Sequence, residues 1–234
     1  MRTQREVKSA LCEVLGREVD ALLIPRDFAR RNGSIDYVRQ CVGGMQTVRI
    51  SFHLMPKYEH GACCHVYPSL RMFFPDVGRV GLAMVGGDKL LLASAPEVTL
   101  NEPIDFVIPK EHHVRWFAYD DETLLECIRS MKNSLATWVI PFLDEYRTPA
   151  SLVFAYEQRD VRFLWQRHFY IYVAAAYILA SKPDVAMRVL EENLGQARPK
   201  RQYAKAFEYV KALLTHESGF ARGVEEDEFA GDDT

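Results

Sequence analysis

Val48-Arg49-Ile50-Ser51-Phe52-His53-Leu54 decides the fold. Apolar and polar side chains alternate along it, with Val48, Ile50, Phe52 and Leu54 on one side and Arg49, Ser51 and His53 on the other. Successive side chains of a strand point to opposite faces, so this period of two marks a strand with one buried and one wet face. Pro56 closes it. Upstream, Gly43-Gly44 predicts a turn and residues 35–42 a partner strand, and Asn32-Gly33 predicts the turn before that, since both residues tolerate positive φ. Downstream, residues 57–62 read as a polar loop and residues 63–74 as a strand with an edge or bulge at Pro68. Residues 79–85 and 89–95 read as a hairpin around Gly86-Gly87-Asp88, and 104–108 and 113–118 as short extended pieces. The stretch 28–118 is thus expected to be a mostly antiparallel meander of about six strands, because short connections favour antiparallel pairing.

On either side the period is helical. Val7, Ala10, Leu11, Val14 and Leu15 predict an amphipathic helix over 4–16, with Gly16 a possible stop. Leu124, Ile128, Met131, Leu135, Trp138 and Phe142 form a stripe over 121–146, with Asp120 or Asp121 as N-cap and Pro141 as a kink or end. Further helices are expected at 149–157, 161–180, 184–194 and 200–215, with Pro183 opening and Gly195 following the third of these. The fold class is α+β: an N-terminal helix, an antiparallel sheet and a C-terminal helical layer. The division expected is 1–118 for helix and sheet, 119–216 for a helical layer packed on it as one compact unit, with the helix 121–146 lying on the sheet because its stripe needs an apolar partner, and 217–234 for a disordered acidic tail.

The chain has 234 residues and a net charge of −3. Six of its carboxylates, Glu225, Glu226, Asp227, Glu228, Asp232 and Asp233, follow the last basic residue, Arg222. Setting those six aside leaves the rest at +3, which argues against a nucleic-acid partner. The five cysteines (Cys12, Cys41, Cys63, Cys64, Cys127) are odd in number and scattered, which argues against a disulfide framework. With a start that has no apolar signal core, this predicts the cytoplasm. The longest apolar run, Phe169 to Ala180, is too short for a bilayer, so no membrane is expected.

No phosphate-binding glycine loop, nucleophile elbow or His-Glu-x-x-His occurs. The densest reactive cluster is His60-Gly61-Ala62-Cys63-Cys64-His65. Its composition suggests zinc, but adjacent cysteines in a strand point to opposite faces and the usual ligand spacing is absent. A Cys64–His53 nucleophile pair across neighbouring strands is the other chemistry it allows. Neither cofactor nor metal is expected, and the balance is against an enzyme. The surface residues expected to meet a partner are Arg49 and His53 on the wet sheet face, Tyr58, Glu59 and His60 in the loop, Arg115 beside Trp116 and Phe117, and Glu225, Glu226, Asp227 and Glu228 in the tail. Ala174 to Leu194 resembles one tetratricopeptide-like hairpin.

The layout of residues 5–146 resembles the bacterial family called domain of unknown function 4304. The resemblance lies in an N-terminal helix leading to Phe28-Ala29-Arg30-Arg31-Asn32-Gly33, then the strand Thr47-Val48-Arg49-Ile50-Ser51-Phe52, then a long helix ending near Trp138-Val139-Ile140-Pro141-Phe142-Leu143. Small proteins of this kind often look like immunity proteins, which implies a non-catalytic protein that neutralises a cognate bacterial toxin by binding it. The alternatives are a small hydrolase or metal-dependent enzyme using the His/Cys cluster at 53–65, and a tetratricopeptide-like scaffold from residue 161 onward.

Overall fold

The computed structural model describes residues 3–93, 99–163 and 166–225, with side chains as far as Thr215. In chain order the elements are α1 (Gln4–Glu18), α2 (Asp20–Leu23), β1 (Ala29–Arg30), β2 (Asp36–Cys41), β3 (Gly44–Leu54), β4 (Cys64–Phe73), α3 (Pro75–Met84), β5 (Leu100–Pro103), β6 (Trp116–Ala118), α4 (Asp121–Ser134), a π turn (Leu135–Val139), α5 (Ile140–Glu145), α6 (Ala150–Glu157), α7 (Arg167–Leu179), α8 (Pro183–Leu194), α9 (Ala197–Gln202) and α10 (Ala204–Glu225). The chain is α+β, with one antiparallel six-stranded sheet.

Two compact units share these elements, and neither is a continuous run of sequence. One takes residues 1–74, 98–151 and 158–164, the other 75–97, 152–157 and 165–234. The long helix after Asp120 belongs to the unit of the sheet.

In the first unit the strands run in the order β1-β2-β3-β4, and the far edge of β4 is shared by two short strands. β5 pairs with Ser69–Met72 and β6 with Cys64–Val66, which leaves Tyr67 and Pro68 between them. The alternation of Val48 to Leu54 continues across the register: Val48 lies opposite Leu70, Ile50 opposite Pro68 and Phe52 opposite Val66. These side chains line the inner face, where Val48, Ile50, Val66 and Leu70 are fully buried. α1 buries Val7, Leu11, Val14 and Leu15, and it starts with a capping box between Thr3 and Glu6. α4 buries Leu124, Ile128 and Met131 on the predicted stripe. Glu18 of α1 bridges Arg129 and Lys132 of α4 at 3.1 and 3.5 Å.

The sheet is tied to its helices by buried polar groups. Arg39 and Gln46 face each other across β2 and β3. The Arg39 side chain is 1% exposed. Its Nε donates to Gln46 Oε1 (2.9 Å), its Nη1 to Asp144 Oδ1 (2.6 Å), and its guanidinium lies 4.6 Å over the Phe28 ring. Gln46 Nε2 donates to the carbonyls of Leu143 (2.8 Å) and Tyr146 (2.7 Å), groups at the end of α5 that have no helical donor. Tyr37 donates to Asp20 Oδ1 (2.6 Å), which also holds Arg30 through two bonds of 2.8 and 2.7 Å.

Several expected elements differ. The hairpin over 79–85 and 89–95 is not present: Pro75–Met84 is helical, Lys89–Leu92 is a 3₁₀ turn, and 94 and 95 lie outside the described residues. Val77, Val80, Gly81 and Met84 have helical spacing and are buried. A Cβ on Gly81 would sit 3.3 Å from the Tyr172 ring, so the glycine that weakens helix propensity is what lets α3 approach α7 within the second unit. The piece expected at 104–108 is a 3₁₀ turn at Ile104–Phe106, and the strand lies just before it. The turn between β2 and β3 sits at Val42-Gly43, because a Cβ on Gly44 would overlap the Phe73 carbonyl. Gly16 lies inside α1, which runs to Glu18. Pro141 neither ends nor breaks its helix. Lacking an N–H, it follows a π turn in which Ile140 donates to Leu135 five residues back. The helix expected at 161–180 starts at Arg167, and the last helix continues to Glu225, past the start expected for the tail.

In the second unit α7 is buried nearly all round, from Phe169 through Tyr177 apart from Tyr170. Its small residues Ala174, Ala175 and Ala176 let α8 pack beside it, and the α7–α8 hairpin read from the sequence is present. Tyr177 donates to Glu157 (2.7 Å), and Asn193 donates to the Tyr156 hydroxyl (2.9 Å).

Replacing Asp144 leaves the Arg39 charge buried without its counter-charge. Asp144→Ala is therefore expected to cost about 3 kcal/mol in chemical denaturation, and Arg39→Met clearly less, because it removes the charge together with its requirement. Equal losses for the two variants would refute this account of the knot.

Candidate binding face of the sheet

The odd-numbered positions of β4 point away from the core. His65, Tyr67, Ser69, Arg71 and Phe73 are half-exposed, alternating with buried Cys64, Val66, Pro68, Leu70 and Met72. Across the register His53 of β3 lies opposite His65, and His65 opposite Phe117 of β6. Rings therefore form a row on the outer face. His53 meets Tyr67 edge-on at 4.9 Å, Tyr67 lies 5.6 Å from His65, and His65 lies 4.6 Å from Phe117. Tyr58 comes over the end of the row from the loop, 58% exposed, with its hydroxyl 2.8 Å from His65 Nδ1.

Three guanidinium groups flank this row. Arg49 is neutralised by Asp36, which accepts from it at 2.8 and 2.7 Å and holds its charge more firmly than usual. Arg71 donates to the neutral Asn101 Oδ1 at 2.7 Å, and burial, then the Arg49 charge, lower its pKa against an opposing pull from Asp36. Arg115 is exposed and has no ion-pair partner among the described residues. Burial, then the charges of His53 and Arg115, lower the pKa of His65, against an opposing pull from Asp105.

The chain leaves the edge of β4 after Pro103 and returns at Trp116. That detour opens a notch of about 370 Å³ over Tyr67 and Pro68, walled also by Tyr58, His65, Asp105 and Arg115. A separate hollow of about 480 Å³ lies within the loop 55–63. The loop is closed by Met55 N–H to Cys63 O (3.0 Å) and Cys63 N–H to Ala118 O (2.8 Å), with Met55 and Gly61 at positive φ.

Of the residues expected to meet a partner, His53, Tyr58 and Arg115 come together on the outer face, joined through His65 and Tyr67. Arg49 stands at the other end of that face, tied to Asp36. Glu59 accepts from the Tyr119 hydroxyl at 2.7 Å, and it and His60 line the loop hollow, apart from the notch. Glu225 ends α10, and Glu226, Asp227 and Glu228 lie outside the described residues. Tyr67, Arg71 and His65's place in the ring row escaped the sequence reading. The alternation of Cys64 to Phe73 carried the signal, and pairing those positions with His53 needed the strand register.

The Cys64–His53 pair does not exist. Cys64 lies opposite Leu54 on the inner face and is 1% exposed, while His53 is on the outer face opposite His65. Among the described residues no three His, Cys, Asp or Glu side chains converge as metal ligands. Cys127 donates to the Phe117 carbonyl (3.3 Å), and burial, then Glu126 and Cys63, push its thiol up to about 11. No known protein family, curated protein or solved structure matches the chain.

These environments set thiol reactivity. In the native protein, iodoacetamide is expected to alkylate Cys64 and Cys127 at least about 100-fold more slowly than in the unfolded chain, as followed by mass spectrometry of peptides. Rapid native labelling of Cys64 would return a thiol nucleophile to consideration.

Proposed function

We propose that this is a non-catalytic binding protein whose partner, another protein, docks on the outer face of the sheet. The observation that carries the reading is the row His53, Tyr67, His65, Phe117 and Tyr58 beside two guanidinium groups, Arg71 and Arg115, neither of them in an ion pair among the described residues. Aromatic rings and arginines are the side chains that most often dominate the energetics of protein interfaces, because they bury large area with little lost freedom. With Arg49, Arg71 and Arg115 against Asp36 and Asp105, the face keeps an excess of positive charge, which favours a partner surface rich in Asp and Glu.

The narrower form of this reading is an immunity-type protein that occludes a cognate bacterial toxin in the cytoplasm. It draws on the resemblance of residues 5–146 and on five scattered cysteines, all of them free thiols. No described helix is long and apolar enough to cross a membrane, so the partner is sought in aqueous extract first.

The test is affinity capture of the tagged full chain from its own host, with nuclease treatment and quantitative mass spectrometry of the eluate. One stoichiometric protein partner is expected, and Tyr67→Ala with Arg71→Glu should reduce its recovery about tenfold or more, the loss of one interfacial hot spot. Recovery unchanged by these two substitutions would refute the outer face as the docking surface. Recovery of nucleic acid in place of a protein would refute the partner class.

A further inference from the structure

We infer that the notch between β5 and β6 is an acid-favoured subsite that receives a carboxylate side chain of the docked partner. This rests on the reading of the outer face as the docking surface.

The notch exists because two short strands share one edge. β4 pairs with β6 as far as Val66 and with β5 from Ser69, and Pro68 has no N–H to continue the ladder. The space is about 370 Å³, at the small end of ligand pockets and ample for one carboxylate side chain. Its walls are aromatic and apolar at Tyr58, Tyr67 and Trp116, so a charge brought into it is partly shielded from water.

The charged and titratable groups around it come from four elements. β6 and its approach supply Arg115, β4 supplies His65 and Tyr67, β3 supplies His53, and the turn after β5 supplies Asp105. The Tyr58 hydroxyl engages His65 Nδ1. When Tyr58 donates there, the ring proton is on Nε2, which is then a free donor, and on protonation both ring nitrogens donate. With neutral imidazoles, Arg115 and Asp105 cancel and the notch has little preference for an anion. With His65 protonated, the balance becomes one positive charge.

The sign follows by linkage. An anion in the notch favours the imidazolium of His65, so binding raises the His65 pKa and affinity rises as pH falls through the imidazole range. Burial and neighbouring positive charge lower the pKa of free His65, which sets its part of the rise below the ordinary imidazole value. Asp and Glu side chains stay ionised in that window, so the partner keeps its charge while the notch gains its own.

The test follows the His65 ring by NMR in the full chain labelled at histidine, titrated with a capped tetraglutamate peptide and, separately, with inorganic phosphate. The peptide is expected to shift the His65 signals saturably, with a dissociation constant about fivefold or more lower near pH 5.5 than near pH 7.5. Arg115→Ala should abolish the shift, while Arg79→Ala, a surface change on α3, leaves it. No saturable response at either pH overturns the inference, as does tighter binding at the higher pH, or saturation by phosphate without saturation by the peptide. Partner capture that needs Tyr67 and Arg71 yet is indifferent to Arg115→Ala also overturns the subsite while leaving the docking reading intact. Failure of the docking reading itself would appear as capture unaffected by the Tyr67 and Arg71 substitutions, whatever the His65 ring does.

Discussion

The buried guanidinium of Arg39 is the constraint around which the sheet unit is assembled. A charge so far from water is tolerable only if it is paired and hydrogen-bonded. Gln46 and Asp144 provide that, the Phe28 ring covers one side, and only Nη2 has no hydrogen-bond partner among the described residues. Gln46 in turn uses its amide N–H groups on the carbonyls of Leu143 and Tyr146. One cross-strand pair thus joins the β2–β3 hairpin to the end of α5, roughly a hundred residues later in the chain. Slipping the register by one residue would turn Arg39 and Gln46 outward and their apolar neighbours with them.

With register and inner face set, the outer face follows. Every side chain that is not under the helices must stand on the other side of the sheet. That places His53, His65, Tyr67, Phe117 and Arg71 together although they come from three strands. The division of β4's edge between β5 and β6 adds relief to an otherwise flat surface, and the detour through residues 104–115 brings Arg115 and Asp105 to the notch. The same network that stabilises the sheet therefore arranges its outer face, with Arg39 and Gln46 themselves turned inward.

Helical and strand periods were readable wherever one face is buried and one is wet. Val48 to Leu54, the stripe of α1 and the stripe of α4 behave as their patterns predict, because burial is periodic in each. Residues 79–85 misled for a local reason: Val and Gly favour extended or turn structure in isolation, whereas here Gly81 lets a helix pack against Tyr172. At Pro141 the expected disturbance takes the form of a widened turn: the proline, which has no N–H, stands in the first turn of α5 after a π turn.

The sequence by itself determined the α+β class, the central hairpin, the capped helices and the α7–α8 pair, because these depend on near neighbours and on simple repetition of apolar side chains. It also placed His53, Tyr58 and Arg115 among the candidates. Only the tertiary structure decided that they meet, that Cys64 and His53 face opposite ways, and that Tyr67 and Arg71 complete the surface. Those facts depend on which strand lies beside which and in what register. Register is selected by the whole buried face at once, through contacts between residues far apart in the chain, and no local pattern contains it.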